Sequence, residues 1–124
     1  MSSRKLKGPV LVVDDDADIR EALQDILEDE GYQTAQARDG LEALRYLDAH
    51  PAPPLILLDW NMAPMNGDQF MNEFCRQPRS AFIPVVLLTA DARAEEKAAN
   101  RFVGHLKKPV NLEDLFAFVE QYCS

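Results

Sequence analysis

Leu55-Ile56-Leu57-Leu58-Asp59-Trp60-Asn61 runs four apolar residues straight into one carboxylate. A hydrophobic run of this length that stops on an acid reads as a buried parallel strand delivering Asp59 to the edge of a sheet. The rest of the chain decides what that acid is for.

Upstream, Pro9 to Val13 is a second apolar, β-branched run, and it stops at Asp14-Asp15-Asp16. From Ala17 the period changes: Ile19, Ala22, Leu23, Ile26 and Leu27 fall at i, i+3, i+4, i+7 and i+8, which predicts an amphipathic helix with Asp16 as its N-cap and Gly31 as its stop. Tyr32 to Arg38 is a weak strand. Asp39-Gly40 then opens a helix with Leu41, Leu44 and Leu47 inward, ended by His50-Pro51. Pro51 to Pro54 is too short to link domains and reads as a connector.

Downstream of Asp59, a loop from Asn61 to Gly67 leads into a helix that buries Phe70, Met71 and Phe74. Ile83 to Thr89 is a strand, apolar until the Thr89 hydroxyl. Asp91 to about Arg101 is Ala- and Glu-rich with little apolar periodicity, which predicts a mostly exposed, loosely packed helix. Gly104 to Lys107 is a short strand and Lys108-Pro109 a turn. Asn111 caps a last helix with Leu112, Leu115, Phe116 and Val119 on one face.

Five strands alternating with five helices predict an α/β fold, a five-stranded doubly wound parallel sheet covered on both faces. Right-handed crossovers put every strand's carboxyl end on one edge, where such folds bind ligands at the point of strand-order reversal. The polar residues at those ends are Asp14, Asp15, Asp59, Thr89 and Lys108. Four strands therefore aim acids, a hydroxyl and an amine at one place.

Three carboxylates in close proximity raise one another's pKa unless a cation compensates them. Oxygen-only ligands favour Mg²⁺, or Mn²⁺, over Zn²⁺, which would call for His or Cys. A metal together with Lys108 can neutralise a phosphoryl group in transfer, with Asp59, the isolated acid, as nucleophile and Thr89 donating to a phosphoryl oxygen. Each residue also has a plainer reading. Asp16 reads as a cap, Asp14, Asp15 and Asp59 taken singly as ordinary strand-end acids, Thr89 as a β-former and Lys108 as a turn residue. Joint placement at four strand ends outweighs those readings.

With 124 residues, 47% of them hydrophobic, the chain matches one domain, residues 9–124, behind a short N-terminal tail, residues 1–8, that carries Arg4, Lys5 and Lys7. A net charge of −8, from 21 acids against 13 bases, opposes phosphate-backbone binding and excludes nucleic acid as an expected partner. No apolar run is long enough to span a membrane and no signal-peptide pattern opens the chain, so a cytoplasmic location is expected. Cys75 and Cys123 lack metal-ligand spacing and read as free thiols. His50 reads as a surface or packing residue.

These residues resemble the receiver domains of two-component response regulators, over essentially the whole chain. Val12 to Asp16 is similar to that family's acidic-pair strand, Leu57 to Met62 to its phosphoacceptor strand, Leu87 to Ala90 to its switch threonine, and Lys107-Lys108-Pro109 to its lysine motif. The order is the family's, with 44 positions from Asp15 to Asp59 and 30 from Asp59 to Thr89. The resemblance implies a flavodoxin-like (βα)5 receiver fold in which Asp59 accepts phosphate from a phosphohistidine of a sensor histidine kinase or histidine phosphotransfer protein. It implies Mg²⁺ held by Asp14, Asp15, Asp59 and the backbone carbonyl of Asn61, a phosphoryl-pairing Lys108, a cis Lys108-Pro109 bond, and catalysis only of the domain's own phosphorylation and dephosphorylation. Output is then phosphorylation-dependent binding to a downstream target protein, by a monomer or weak dimer that is either a stand-alone regulator or an excised module.

Three departures stand out. Met62-Ala63-Pro64 replaces the usual Met-Pro. His105 occupies the family's aromatic switch position, three residues before Lys108. The segment from Thr89 to Lys108 is a few residues short, which implies a truncated or shifted helix there. Two other readings compete: a receiver-like interaction module that no longer cycles phosphate, and a metal-dependent phosphohydrolase. The second is opposed by Asn61, which stands where such enzymes need a second acid.

Overall fold

A computed structural model describes residues 8–90 and 101–123. The apolar runs form five strands, β1 (Val10–Val13), β2 (Thr34–Ala37), β3 (Ile56–Asp59), β4 (Val85–Thr89) and β5 (Gly104–Lys107). They pair in the order β2-β1-β3-β4-β5, and every pair is parallel. The described crossovers carry helices α1 (Ala17–Asp29), α2 (Gly40–Ala49) and α3 (Gly67–Phe74), and α4 (Leu112–Cys123) closes the described chain. A 3-10 turn, Pro78–Phe82, leads from α3 to β4. The helix expected over Asp91 to Arg101 and the basic residues of the tail fall outside the described residues, apart from Arg101 itself.

Strand order reverses between β1 and β3, since β1 is followed on one side by β2 and flanked on the other by β3. The ends of these two strands are Asp14 and Asp59, so the reversal falls where the acids were expected.

Alternate residues of the central strands supply two cores. Val10, Val12, Leu55, Leu57, Val86 and Leu88 pack with Leu23 and Leu27 of α1 and Leu115 and Val119 of α4. Leu11, Val13, Ile56, Leu58 and Val85 pack on the opposite face with Ala43 and Leu47 of α2 and Phe70, Met71 and Phe74 of α3. Burial on both faces is why β1, β3 and β4 read as unbroken apolar runs instead of alternating ones.

The caps form as expected. The Asp16 carboxylate accepts from the backbone of Asp18 at 2.9 Å and Ile19 at 3.3 Å, and Asn111 accepts from Asp114 N at 3.1 Å. Gly31, at a φ of 89°, turns the chain out of α1 in the left-handed region that favours glycine. Three helix-face expectations are corrected. Leu41 is 38% exposed and Leu112 46% exposed, and Ala22 is also exposed. In α2 the apolar spacing of three drifts by about 60° per step on a helix, so of Leu41, Leu44 and Leu47 only the last is fully buried, with Ala43 completing its face. Leu112 opens α4, one turn before the buried stripe of Leu115 and Val119. Neither Cys75 nor Cys123 forms a disulfide, and His50 is exposed, its Nδ1 3.0 Å from Tyr46 O. Among the described residues no helix is long and apolar enough to cross a membrane.

Candidate functional site

β1 delivers Asp14 fully buried. Its backbone N–H still donates to Ala37 O at 3.1 Å, extending the pairing with β2, while its Oδ1 accepts from Asp16 N at 2.9 Å and turns the chain into α1. That leaves Oδ2 facing the strand edge. Arg20, on the second turn of α1, donates from Nη1 to Asp14 O at 2.7 Å and from Nε to Gln36 at 2.9 Å, tying the turn to β2. Asp15 is exposed beside it.

β3 carries Asp59 to the same edge with 4% of its surface exposed. Trp60 N donates to Leu88 O at 3.1 Å, prolonging the pairing with β4 past the acid, and Gly67 N donates to Trp60 O at 2.9 Å, closing the loop. Asn66 caps α3 with a reciprocal box: Gln69 N donates to Asn66 Oδ1 and Asn66 N to Gln69 Oε1, at 2.8 and 3.0 Å. The loop that begins after Asp59 therefore has a fixed start and a fixed end.

β4 and β5 supply the remaining groups. Thr89 is buried at the last pair of their ladder, opposite Lys107, and Lys108 N donates to Thr89 O at 3.0 Å. From there the Lys108 ammonium donates to Asp14 Oδ2 at 2.9 Å and to Asp59 Oδ1 at 3.2 Å. Ligand atoms of Asp14, Asp15 and Asp59 all lie within 4.8 Å of one another. The Lys108-Pro109 bond is cis, as expected, and so is Ala63-Pro64. His105 is exposed on β5 opposite Leu87, at a distance in sequence of three residues from Lys108. Asn61 is exposed, and its backbone N–H reaches the Asp59 carboxylate.

Burial pushes the Asp59 carboxyl up, the charge of Asp14 pushes it further, and Lys108 and the Asn61 N–H only partly oppose this, leaving it at about 6. For Lys108, burial acts to lower the pKa. Its bonds and attraction to Asp14 and Asp59 prevail and hold it above its ordinary value.

The three acids fit a hard divalent cation: they offer carboxylate oxygens only, at a spacing one small ion can bridge, and the Lys108 ammonium contacts just two of them, Asp14 and Asp59. Beside them, a cleft of about 420 Å³ opens between Asp15, the head of α2 and Ala63-Pro64.

Two features escaped the sequence reading. Arg20 has no motif to mark it. Phe102 packs into the core of α2 and α3 and meets the Trp60 ring, over which the guanidinium of Arg101 also lies.

Residues 10–120 match the family described as the response regulator receiver domain. The chain belongs to that family. This receiver domain is 38% identical over 117 residues to the 14.6 kDa protein in the sodA1 3'region of Leptolyngbya boryana, covering 92% of this chain and 88% of that protein. It is 36% identical to the phosphate regulon transcriptional regulatory protein PhoB of Escherichia coli, covering 90% of this chain but 49% of PhoB, so it spans about half of that relative. The response regulator TrrA of Thermotoga maritima, solved in complex with Mg²⁺-BeF, superposes with a TM-score of 0.82 at 28% identity, over 93% of this chain and 98% of TrrA. Flavodoxin-like topology, five parallel strands between helices, is common to the receiver domain and such structures.

Proposed function

We propose that this receiver domain accepts a phosphoryl group on Asp59 from a phosphohistidine of a sensor histidine kinase or histidine phosphotransfer protein, and that the phosphorylated form switches binding to a downstream target protein. The observation that carries this reading is the double contact of one ammonium, Lys108 Nζ, with Asp14 and Asp59 at 2.9 and 3.2 Å. It gives Asp59 a cation already placed for added negative charge and keeps Asp14 beside it as a ligand.

Asp14, Asp15 and Asp59 would hold Mg²⁺, or Mn²⁺, with the carbonyl of Asn61, and the bound cation would offset charge on the oxygens of a phosphoryl group. TrrA's Mg²⁺-BeF complex supports the same assignment here. In the transfer, an Asp59 carboxylate oxygen forms the bond to phosphorus as the bond from phosphorus to the donor imidazole nitrogen breaks. The imidazole leaves and regains a proton from solvent. Lys108 then pairs with a phosphoryl oxygen in place of Asp59 Oδ1, and its raised pKa keeps it charged at neutral pH. In the reverse of this storage, water attacks phosphorus and releases phosphate, restoring the carboxylate. Thr89, buried one ladder position from Lys108, donates its hydroxyl to the phosphoryl group, and His105 on the neighbouring strand is the second switch residue. The setting is the cytoplasm, with proteins and not nucleic acid as partners, in keeping with the net charge of −8.

Acetyl phosphate with Mg²⁺ tests the reading. Intact-mass measurement should record one added phosphoryl group on the wild type and none on Asp59→Asn. Phosphorylation of Asp59→Asn, or none of the wild type with either acetyl phosphate or a phosphorylated kinase, overturns it. Steady release of phosphate from small phosphomonoesters would favour a phosphohydrolase instead.

A further inference from the structure

Trp60, the residue after Asp59, is held by a part of the chain more than forty positions away. Phe102 meets its indole edge-on, with ring centroids 6.2 Å apart at 69°, and the Arg101 guanidinium lies 5.9 Å from the ring centroid. That distance is within reach of a cation–π contact. The same guanidinium donates from Nη2 to Asp68 Oδ1 at 2.8 Å and from Nη1 to Asn72 Oδ1 at 3.1 Å.

Asp68 and Asn72 stand at i and i+4 on α3 and so present neighbouring acceptors on one face. A planar fork can reach both while still covering the indole, which a single ammonium cannot. The Asp68 pair alone would add little, since the Asp68 side chain is 51% exposed. Sharing matters more: one guanidinium joins the end of β3, the first two turns of α3 and the approach to β5. All three pieces converge on the site. Trp60 follows Asp59, Gly67 N at the head of α3 donates to Trp60 O, and β5 ends at Lys107, next to Lys108.

We propose that Arg101 is a positioning residue for the Asp59 site. Its grip on Trp60, Asp68 and Asn72 fixes the neighbour of the phosphoacceptor and the approach to β5 in the arrangement that sets Lys108 against Asp14 and Asp59. The proposal rests on Asp59 being the phosphoacceptor. The proposal requires that the clasp favour the assembled arrangement over its alternatives, so that its loss weakens ligands that need that arrangement. Phe102 and Arg101 supply these contacts on the α3 face from the approach to β5.

Trp60 is the only tryptophan, so its emission reports both the clasp and the site. Wild type, Arg101→Lys, Arg101→Ala and Asp68→Asn are titrated with beryllofluoride in saturating Mg²⁺. Arg101→Ala should shift the resting emission to longer wavelength and raise the half-saturating concentration by about threefold, the effect expected from losing one half-exposed cation–π contact. Arg101→Lys should recover part of both changes, and Asp68→Asn should show the same changes to a smaller extent. Unchanged emission and half-saturation in Arg101→Ala, or tighter binding, overturns the proposal. Should Arg101→Ala fail to fold, Asp68→Asn decides by the same criteria. A wild type without any beryllofluoride response sinks the phosphoacceptor reading, whereas a normal wild-type response with an unmoved Arg101→Ala sinks only the role of Arg101.

Discussion

Lys108 Nζ lies 3.2 Å from Asp59 Oδ1, yet this ion pair leaves the acid under-compensated. The ammonium is shared with Asp14 at 2.9 Å, and burial together with the Asp14 charge still holds the Asp59 pKa at about 6 against an ordinary 3.8. Among the described residues, one ammonium contacts two of the three clustered carboxylates, Asp14 and Asp59. That imbalance is what an added divalent cation relieves, and it makes the protein's stability a readout of the site's charge.

The first consequence is a pH dependence of stability opposite to that of most salt-bridged acids. Because the folded pKa of Asp59 exceeds the unfolded one, the native state binds the proton more tightly between 3.8 and about 6. The Asp59 contribution to stability therefore falls as pH rises through that window. Asp59→Asn should remove most of this slope in urea unfolding of the metal-free protein. At neutral pH it should stabilise by roughly 1–2 kcal/mol, less than the roughly 3 kcal/mol the full shift represents, because Lys108 loses a partner. A variant no more stable than the wild type at neutral pH would show that Lys108 compensates Asp59 fully.

Removing the ammonium should do the reverse. Lys108→Met leaves Asp14 and Asp59 buried without their cation and should cost roughly 2–4 kcal/mol at neutral pH without metal. Since the Lys108 pKa is raised, its stabilisation is present below 10.5 and lost as pH climbs past its folded value. The gap between wild type and Lys108→Met, measured by denaturant unfolding, should narrow toward acid pH as Asp59 protonates, and narrow again in strong alkali as Lys108 deprotonates. A gap independent of pH would mean that the lysine stem, and not its charge, matters.

Strand ends were legible because a buried parallel strand is apolar on both faces, so Asp14, Asp59 and Thr89 stand out as the points where each run stops. The caps at Asp16 and Asn111 were legible because a short side-chain acceptor before an apolar period has one common use. Helix faces were less so: Leu41 and Leu112 carry apolar side chains, but position relative to the cap, not residue type, turned them to solvent. Arg101 and Phe102 left no local signal at all. Their partners, Trp60, Asp68 and Asn72, lie about thirty to forty positions earlier and come together only once α3 packs beside β5's approach.

Metal affinity should track the same proton that governs stability. A divalent cation requires Asp59 ionised, so Mg²⁺ binding followed by Trp60 emission should weaken about tenfold for each pH step below the Asp59 pKa, and be nearly flat above it. Chelation with EDTA should restore the metal-free emission. Asp15→Asn, which neutralises the exposed acid of the cluster without emptying the core, should weaken Mg²⁺ at every pH while leaving metal-free stability within about 0.5 kcal/mol of the wild type. Equal Mg²⁺ affinity in Asp15→Asn would remove that residue from the ligand set.

Gly67 offers a test of how tightly the loop after Asp59 is built. A Cβ there would stand 2.9 Å from both Asp59 O and Trp60 Cα and 3.1 Å from Trp60 Cε3. Two of those atoms are backbone and cannot swing aside. Alanine gains about 1 kcal/mol in helix propensity over glycine, but overpacking against fixed atoms costs about 1–3 kcal/mol. Gly67→Ala should therefore lose stability on balance, and because Trp60 must shift, its emission and the Mg²⁺ affinity should change with it. Gly40→Ala is the matched control. Its Cβ would press on Met65 Cγ at 2.7 Å and Phe70 Cβ at 2.9 Å, so it should also destabilise, but it touches neither Asp59 nor Trp60. If both variants lose stability and only Gly67→Ala alters the emission and the metal titration, the close approach at Gly67 positions the site itself. If the two behave alike, the glycine serves packing alone.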